Sequence, residues 1–179
     1  ASELQDKGVL ANCHVNVLQT QDHPMFKTYA EELKWLTTDK VRMAWVAKTV
    51  KDVSTSGNTL VLVDRISAGE ILQEQLEGSV FVSGSTKNVD RKEQYDEVST
   101  ATNKIIIATY GVASVGINIP RIFNLVLIEP GKSFVRVIQS IGRGIRKAED
   151  KENVQIWDIT SSCKFAKRHL GARKKFYKE

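Results

Sequence analysis

Two arginines stand three residues apart in the run Gln139-Ser140-Ile141-Gly142-Arg143-Gly144-Ile145-Arg146. Residues at that spacing share a helix face, so Arg143 and Arg146 form a pair of planar, permanently charged donors. Such donors suit the oxygens of a triphosphate and the charge of a phosphoryl transition state. A solvated or salt-bridged helix end accounts for the pair equally well at this stage. Gly142 and Gly144 would let a ligand or a backbone approach closely.

Three further segments each follow an apolar run. They are Asp64-Arg65-Ile66-Ser67, Ser83-Gly84-Ser85-Thr86-Lys87 and Thr109-Tyr110-Gly111. Each puts small, hydroxylated or basic residues near a helix start, where unpaired N–H groups and the helix dipole favour an anion. Singly, each reads best as an ordinary structural cap. Together on one sheet edge, they would track a phosphodiester backbone without reading bases. The segment Ala108 to Pro120 is a strand end, a small-residue turn and an apolar exit that carries Gly116 and Asn118.

The elements that must position these residues can be read from periodicity. Residues 12–19 alternate weakly, as a short strand would. Phe26 to Leu36 has helical spacing, Thr37-Thr38-Asp39 reads as a cap, and a second helix follows through Val50. Ser54 to Asn58 is a turn cluster. Leu60–Val63 is continuously apolar, as expected of a parallel strand covered on both faces. Ser67 and Glu70 form a capping box before the next helix. Val80–Val82, Ile105–Ile107, Ile122–Ile128 and Val154–Ile159 read as further strands, with helices expected after Asp90 and Ser133. This alternation predicts an α/β fold with a parallel sheet sandwiched by helices. In such sheets ligands gather at the carboxyl ends of the strands, where the loops above lie.

Charge is unevenly placed. The chain of 179 residues has a net charge of +5. Residues 164–179 hold seven basic residues against one acid, while the remainder has nineteen against twenty. A basic terminal helix is a solvated face or a footprint for phosphates. If helical, the tail aligns Phe165, His169, Ala172 and Phe176 as an apolar stripe beside Ala166, Leu170 and Tyr177, leaving Lys167, Arg168, Arg173 and Lys174 for nucleic acid. Trp35, Trp45 and Trp157 read as core, although an exposed one would stack on a base. No apolar run reaches membrane-spanning length, and the first residues lack a signal-peptide layout. Cys13 and Cys163 lack metal spacing and read as reduced thiols, so a cytoplasmic setting and no metal site are expected.

The order of these pieces resembles the second, C-terminal RecA-like domain of superfamily 2 helicases. Residues 59–76 resemble motif IV, Gly84 with Arg91 the next short element, 108–120 motif V, and Gln139 to Arg146 the Q-x-x-G-R-x-x-R of motif VI. With the basic tail, the pattern is most similar to the UvsW type of DNA helicase from T-even bacteriophages. The resemblance implies a P-loop NTPase-like, RecA-like fold over residues 39–160. Residues 1–38 would connect from an N-terminal RecA-like motor domain, and 161–179 would form a basic C-terminal helix.

It also implies roles. Arg143 and Arg146 would be arginine fingers on the γ-phosphate of ATP, with Gln139 holding the site. Gly116 and Asn118 would lie near the nucleotide, Asn118 towards the ribose, although many relatives have Asp at that position. Arg65, Ser67, Gly84, Lys87, Thr109 and Tyr110 would contact the DNA backbone. The chain has no G-x-x-x-x-G-K-[ST] phosphate loop and no Asp-Glu pair after an apolar strand. ATP and Mg2+ would therefore be held mainly by the N-terminal domain, and this chain alone would not hydrolyse ATP. The expected function is the C-terminal motor domain of an ATP-dependent helicase or translocase acting on single-stranded or branched DNA in recombination, repair and replication, in the bacterial host cytoplasm if phage-encoded. A nucleic-acid-binding module without its own ATP cycle is the alternative, and RNA is a second possible partner.

Overall fold

In the computed structural model the described residues are 13–84, 101–114, 122–131 and 154–178. The expected helices after Asp90 and Ser133 lie outside them. The chain order is β1 (Cys13–Thr20), α1 (Tyr29–Thr38), α2 (Lys40–Ser54), β2 (Thr59–Val63), α3 (Ile66–Gln75), β3 (Val80–Val82), β4 (Ile105–Thr109), α4 (Tyr110–Ser114), β5 (Asn124–Ile128), β6 (Val154–Ser161) and α5 (Lys164–Lys178).

The strands form one six-stranded sheet in the order β1-β6-β5-β2-β4-β3, and every pairing is parallel. Successive strand residues point to opposite faces, so each central strand serves two cores. Leu60, Leu62, Ile106, Ala108, Leu125, Leu127 and Ile156 fill one, with Val112 and Ala113 of α4. Val61, Val63, Ile107, Val126, Ile128 and Ile159 fill the other, under Met43, Val46 and Val50 of α2 and Leu72 of α3. Burial of one such side chain contributes roughly 1.5–3 kcal/mol, which is why the strands read as unbroken apolar runs. Gly69 is needed for close approach: a Cβ there would lie 2.3 Å from the Phe81 ring.

Several boundaries differ from the expected ones for local reasons. Helix α1 starts at Tyr29 rather than near Phe26, because the Thr28 hydroxyl accepts from Glu31 N at 3.2 Å and caps it. Asp39 caps α2 as expected, accepting from Arg42 N at 3.0 Å. The Ser67–Glu70 box does not form: α3 already begins at Ile66, with Arg65 at the cap and no side-chain capping bond. The strand expected from Ile122 begins at Asn124, whose amide donates to Val53 O at 3.2 Å and Ser56 Oγ at 3.0 Å. That polar residue ties the amino edge of the sheet to the turn after α2.

Residues 1–38 were expected as a connection. Their described part is instead built into the domain, since β1 pairs with β6 from Cys13↔Val154 to Thr20↔Ser161. Helix α1 is likewise tied to α5. The buried Glu32 carboxylate accepts from Phe165 N at 2.9 Å and Ala166 N at 2.8 Å. A carboxylate on the first free N–H groups of a helix is an effective cap, of about 1–2 kcal/mol.

Candidate nucleic-acid interface

Because all described strands are parallel, their carboxyl ends lie along one edge. In that edge β2, β4 and β3 are consecutive neighbours. The three segments singled out in the sequence follow these strands, so their described residues, 64–67, 83–84 and 109–111, stand in a row. Two inter-strand spacings make it about 10 Å wide.

The row is open at its outer positions and closed at its middle. Ser67 and Gly84 are exposed, and nothing stands within 4 Å of where a Gly84 Cβ would project. Arg65 is 38% exposed, and its Nε donates to Asp64 Oδ2 at 3.1 Å. Burial raises the Asp64 carboxyl above its ordinary value, with Arg65 opposing. Its Oδ1 is buried without a hydrogen-bond partner. In the middle, Thr109 is buried and its hydroxyl accepts from Val112 N at 3.2 Å, capping α4. The Tyr110 hydroxyl donates to Ile128 O at 3.0 Å, and its ring packs on the core. Burial pushes that phenol well up, helped by Asp158. Thr109 and Tyr110, expected to touch nucleic acid, thus commit their side chains to the fold. Lys87 lies outside the described residues.

Helix α5 is amphipathic, but its buried stripe is shifted by one residue from the expected one. Ala166, Leu170 and Arg173 are buried, and Ala172 is exposed. Phe165 and His169 are half-buried beside Tyr29, with ring centroids 6.3 and 4.6 Å from it. Lys167, Arg168 and Lys174 are exposed as expected, with Lys164 and Lys175 beside them. Arg173 is a correction. It is 1% exposed, donates from Nε and Nη2 to Asp158 at 2.7 and 3.0 Å, and donates from Nη1 to Pro130 O at 2.5 Å. Burial opposes its charge, but Asp158 more than offsets this and holds its pKa above the ordinary value. Its guanidinium is spent inside the protein and is not offered to a phosphate.

Sequence reasoning missed what lies at the ends of β5, β6 and β1. The buried Arg42 guanidinium bonds Glu129 Oε1, Leu36 O at 2.7 Å and Thr160 O at 3.2 Å. The Thr160 hydroxyl donates to the other Glu129 oxygen at 3.1 Å. Burial raises the Glu129 carboxyl to about 7, with Arg42 opposing. Tyr177 donates to Asp158 Oδ2 at 2.7 Å, and burial beside that carboxylate raises its pKa. One signal was available: Glu129 and Asp158 are acids at or within apolar strands, where an unpaired charge is too costly. Nothing local names their partners.

Of the tryptophans, Trp35 and Trp157 pack on core clusters. Trp45 is 38% exposed and lines an open cavity of about 300 Å3 with Thr20, Asp22, Asp39, Val41 and Arg42. Gly116, Asn118, Gln139, Arg143 and Arg146, the residues expected at the nucleotide, all lie outside the described residues. Their chemistry fits ATP, since they offer guanidinium, amide and backbone groups to phosphate and ribose oxygens. It does not fit Mg2+, which takes carboxylate oxygens. Among the described residues no group of three or more His, Cys, Asp or Glu could hold a metal ion. No described helix is long and apolar enough to cross a membrane.

Comparison with known proteins agrees with this architecture. The helicase conserved C-terminal domain family matches residues 41–148. The chain is 30% identical over 155 residues to the ATP-dependent DNA helicase uvsW of Enterobacteria phage T4, covering 84% of this chain and 31% of that protein. It is 33% identical over 104 residues to putative helicase 22 of a Sulfolobus islandicus filamentous virus, covering 56% of this chain and 18% of that one. The crystal structure of T4 UvsW superimposes with a TM-score of 0.78 at 23% identity, over 93% of this chain and 39% of that chain. The C-terminal domain of the DEAD-box protein Dbp5 superimposes at 0.58 and 20% identity, over 90% and 85%. The last two likenesses establish the fold, a RecA-like helicase C-terminal domain. The chain spans less than a third of the length of each curated relative.

Proposed function

The chain belongs to the helicase conserved C-terminal domain family, and from that premise we propose that it is the second motor domain of an ATP-dependent DNA helicase or translocase. In this reading the longer protein acts on single-stranded or branched DNA in recombination, repair and replication. The observation that carries the reading is the motif Gln139 to Arg146, in a chain of this family.

Arg143 and Arg146 place guanidiniums on the γ-phosphate from across a cleft shared with an N-terminal RecA-like domain. Gln139 holds them there, and Asn118 donates to the ribose beside Gly116. Bound ATP and Mg2+, held chiefly by the other domain, supply the phosphoryl chemistry. Arg65, Ser67, Gly84 and Lys87 contact the DNA backbone from the strand-end row, and the exposed Lys167, Arg168 and Lys174 extend that surface. What supports the row is the adjacency of β2, β4 and β3. Backbone-only contacts suit a motor that must step along any sequence.

The test is Arg146→Ala in the longer protein. DNA-stimulated ATP hydrolysis should fall by about 10³-fold or more, with DNA affinity retained, because a finger acts only in the assembled site. Normal turnover in that variant would sink the assignment. The alternative, a binding module without an ATP cycle, draws on the exposed basic face of α5. It predicts salt-sensitive DNA binding by the longer protein that no nucleotide alters.

A further inference from the structure

At the end of β5 three consecutive residues are each held by a side chain from elsewhere. Ile128 O accepts from the Tyr110 hydroxyl at 3.0 Å. Glu129 is bound by Arg42 and Thr160, and its N–H donates to Ile159 O at 2.9 Å. Pro130 O accepts from Arg173 at 2.5 Å. Glu129 has φ 47°, and it is the one non-glycine residue with positive φ among the described residues. A long side chain in that region is disfavoured and persists only when its surroundings over-determine it. Here both carboxylate oxygens and the N–H are engaged, so the bend is fixed.

The holders come from four separate elements. Tyr110 lies in the middle segment of the strand-end row and opens α4 directly after β4. Arg42 is on α2, Thr160 on β6 and Arg173 on α5, whose opposite face is basic. The chain leaves this bend at Gly131 and runs on in sequence to Gln139, Arg143 and Arg146. We infer that the Ile128–Pro130 bend is a positioning junction for ATP hydrolysis, in which Tyr110 and Arg173 tie the exit of β4 and the tail helix to the bend from which the sequence runs on to the catalytic arginines. Tyr110 is accordingly a positioning residue rather than a DNA contact. This rests on the motor reading above.

The junction explains why Tyr110 and Arg173 turn inward although sequence places both among phosphate-binding residues. It also suggests how occupancy of the DNA edge would be felt at the nucleotide. A displacement of β4's exit moves the hydroxyl that holds Ile128 O, and a misplacement of about 1 Å at reacting groups costs on the order of 10²-fold in rate.

Tyr110→Phe in the longer protein tests this, because it removes one hydroxyl and keeps the ring in the core. At saturating DNA, kcat for ATP hydrolysis should fall roughly ten-fold, with KM for ATP and DNA affinity unchanged, the pattern of an interaction lost in the transition state. Arg173→Lys, read the same way, should lower kcat in the same direction, since Lys keeps the charge but not the three-way geometry. Melting temperatures of both variants confirm that folded protein is compared. Wild-type rates in a folded Tyr110→Phe protein, beside an inert Arg146→Ala protein, would overturn the junction and leave the motor reading standing. Weakened DNA binding with an unchanged kcat would also overturn it, returning Tyr110 to the DNA contacts. A wild-type protein that does not hydrolyse ATP with DNA would overturn both.

Discussion

The ends of β2, β4 and β3 and the ends of β5, β6 and β1 point the same way along one edge, yet they are finished differently. The first group ends in short, small-residue loops, with Ser67 and Gly84 open to solvent. The second ends in a buried network that joins Arg42 to Glu129 and Asp158 to Arg173 and Tyr177. One half leaves Ser67 and Gly84 at the surface, as the proposed phosphate-tracking edge requires. The other is locked by charges that water cannot reach. The proposed motor domain would use both: a surface that can release what it holds and a frame that does not yield while it does so.

The sharpest way to break this comparison is to break the frame. Arg173→Ala leaves Asp158 buried without its partner and Pro130 O without its donor. Removal of one member of a buried pair costs about 3–5 kcal/mol, against a total stability of about 5–15 kcal/mol for a domain. Urea unfolding of this chain measures it. Replacing the group together, with Arg173→Met, Asp158→Leu and Tyr177→Phe, should recover much of that loss, because no buried charge is then stranded and only Pro130 O still lacks its donor. A small effect of Arg173→Ala alone would mean that the network is solvated, and the two halves of the edge would no longer differ in kind.

A second test asks whether the frame senses pH. Burial holds the Glu129 carboxyl at about 7, above its ordinary value of 4.5. A group raised in the folded state adds stability that is complete below its unfolded pKa and is lost as pH rises through the folded one. Glu129 therefore favours folding below about 4.5, and that contribution disappears by about 7 and above. The shift corresponds to on the order of 3–4 kcal/mol. Between pH 5 and pH 8 wild type should lose stability relative to Glu129→Gln. A constant gap between the two proteins across that range would show Glu129 ionised and paired with Arg42 throughout.

What the sequence disclosed divides along the same line. Leu60–Val63 and Ile105–Ile107 are local signals, and local reading placed them correctly as strands. The sheet's parallel, two-faced character followed from unbroken apolar runs. Arg42 and Glu129 lie far apart in sequence, and Asp158 meets Arg173 only because α5 returns across β6. Periodicity holds no information on such pairs. The tail shows this within one helix. A stripe through Phe165, His169 and Ala172 looked more apolar, yet the buried positions are Ala166, Leu170 and Arg173. Asp158 gives the buried Arg173 a paired and hydrogen-bonded partner. The Ser67 box failed for a local reason, since α3 starts at Ile66 after the Asp64-Arg65 bend and leaves Ser67 already helical.

The smallest effect on stability is expected where the surface is free, on the basic face of α5. Lys167, Arg168 and Lys174 are exposed, and substitutions at such positions shift stability by about 0.5 kcal/mol or less. Changing all three to Gln should therefore leave the urea midpoint of this chain nearly where it was. DNA affinity should respond instead. Each phosphate contact on single-stranded DNA contributes about 0.7 to the slope of log affinity against log salt, so losing three contacts should flatten the slope by about 2. A deletion of 164–178 cannot answer this question, because it also removes Arg173 and the helix whose N-terminus Glu32 caps. The triple substitution separates the two jobs of one helix, since Arg173 on its inner face keeps Asp158 while its outer face is neutralised. If affinity and salt slope are both unchanged, α5 belongs wholly to the frame, and the DNA edge ends at the β2, β4 and β3 loops.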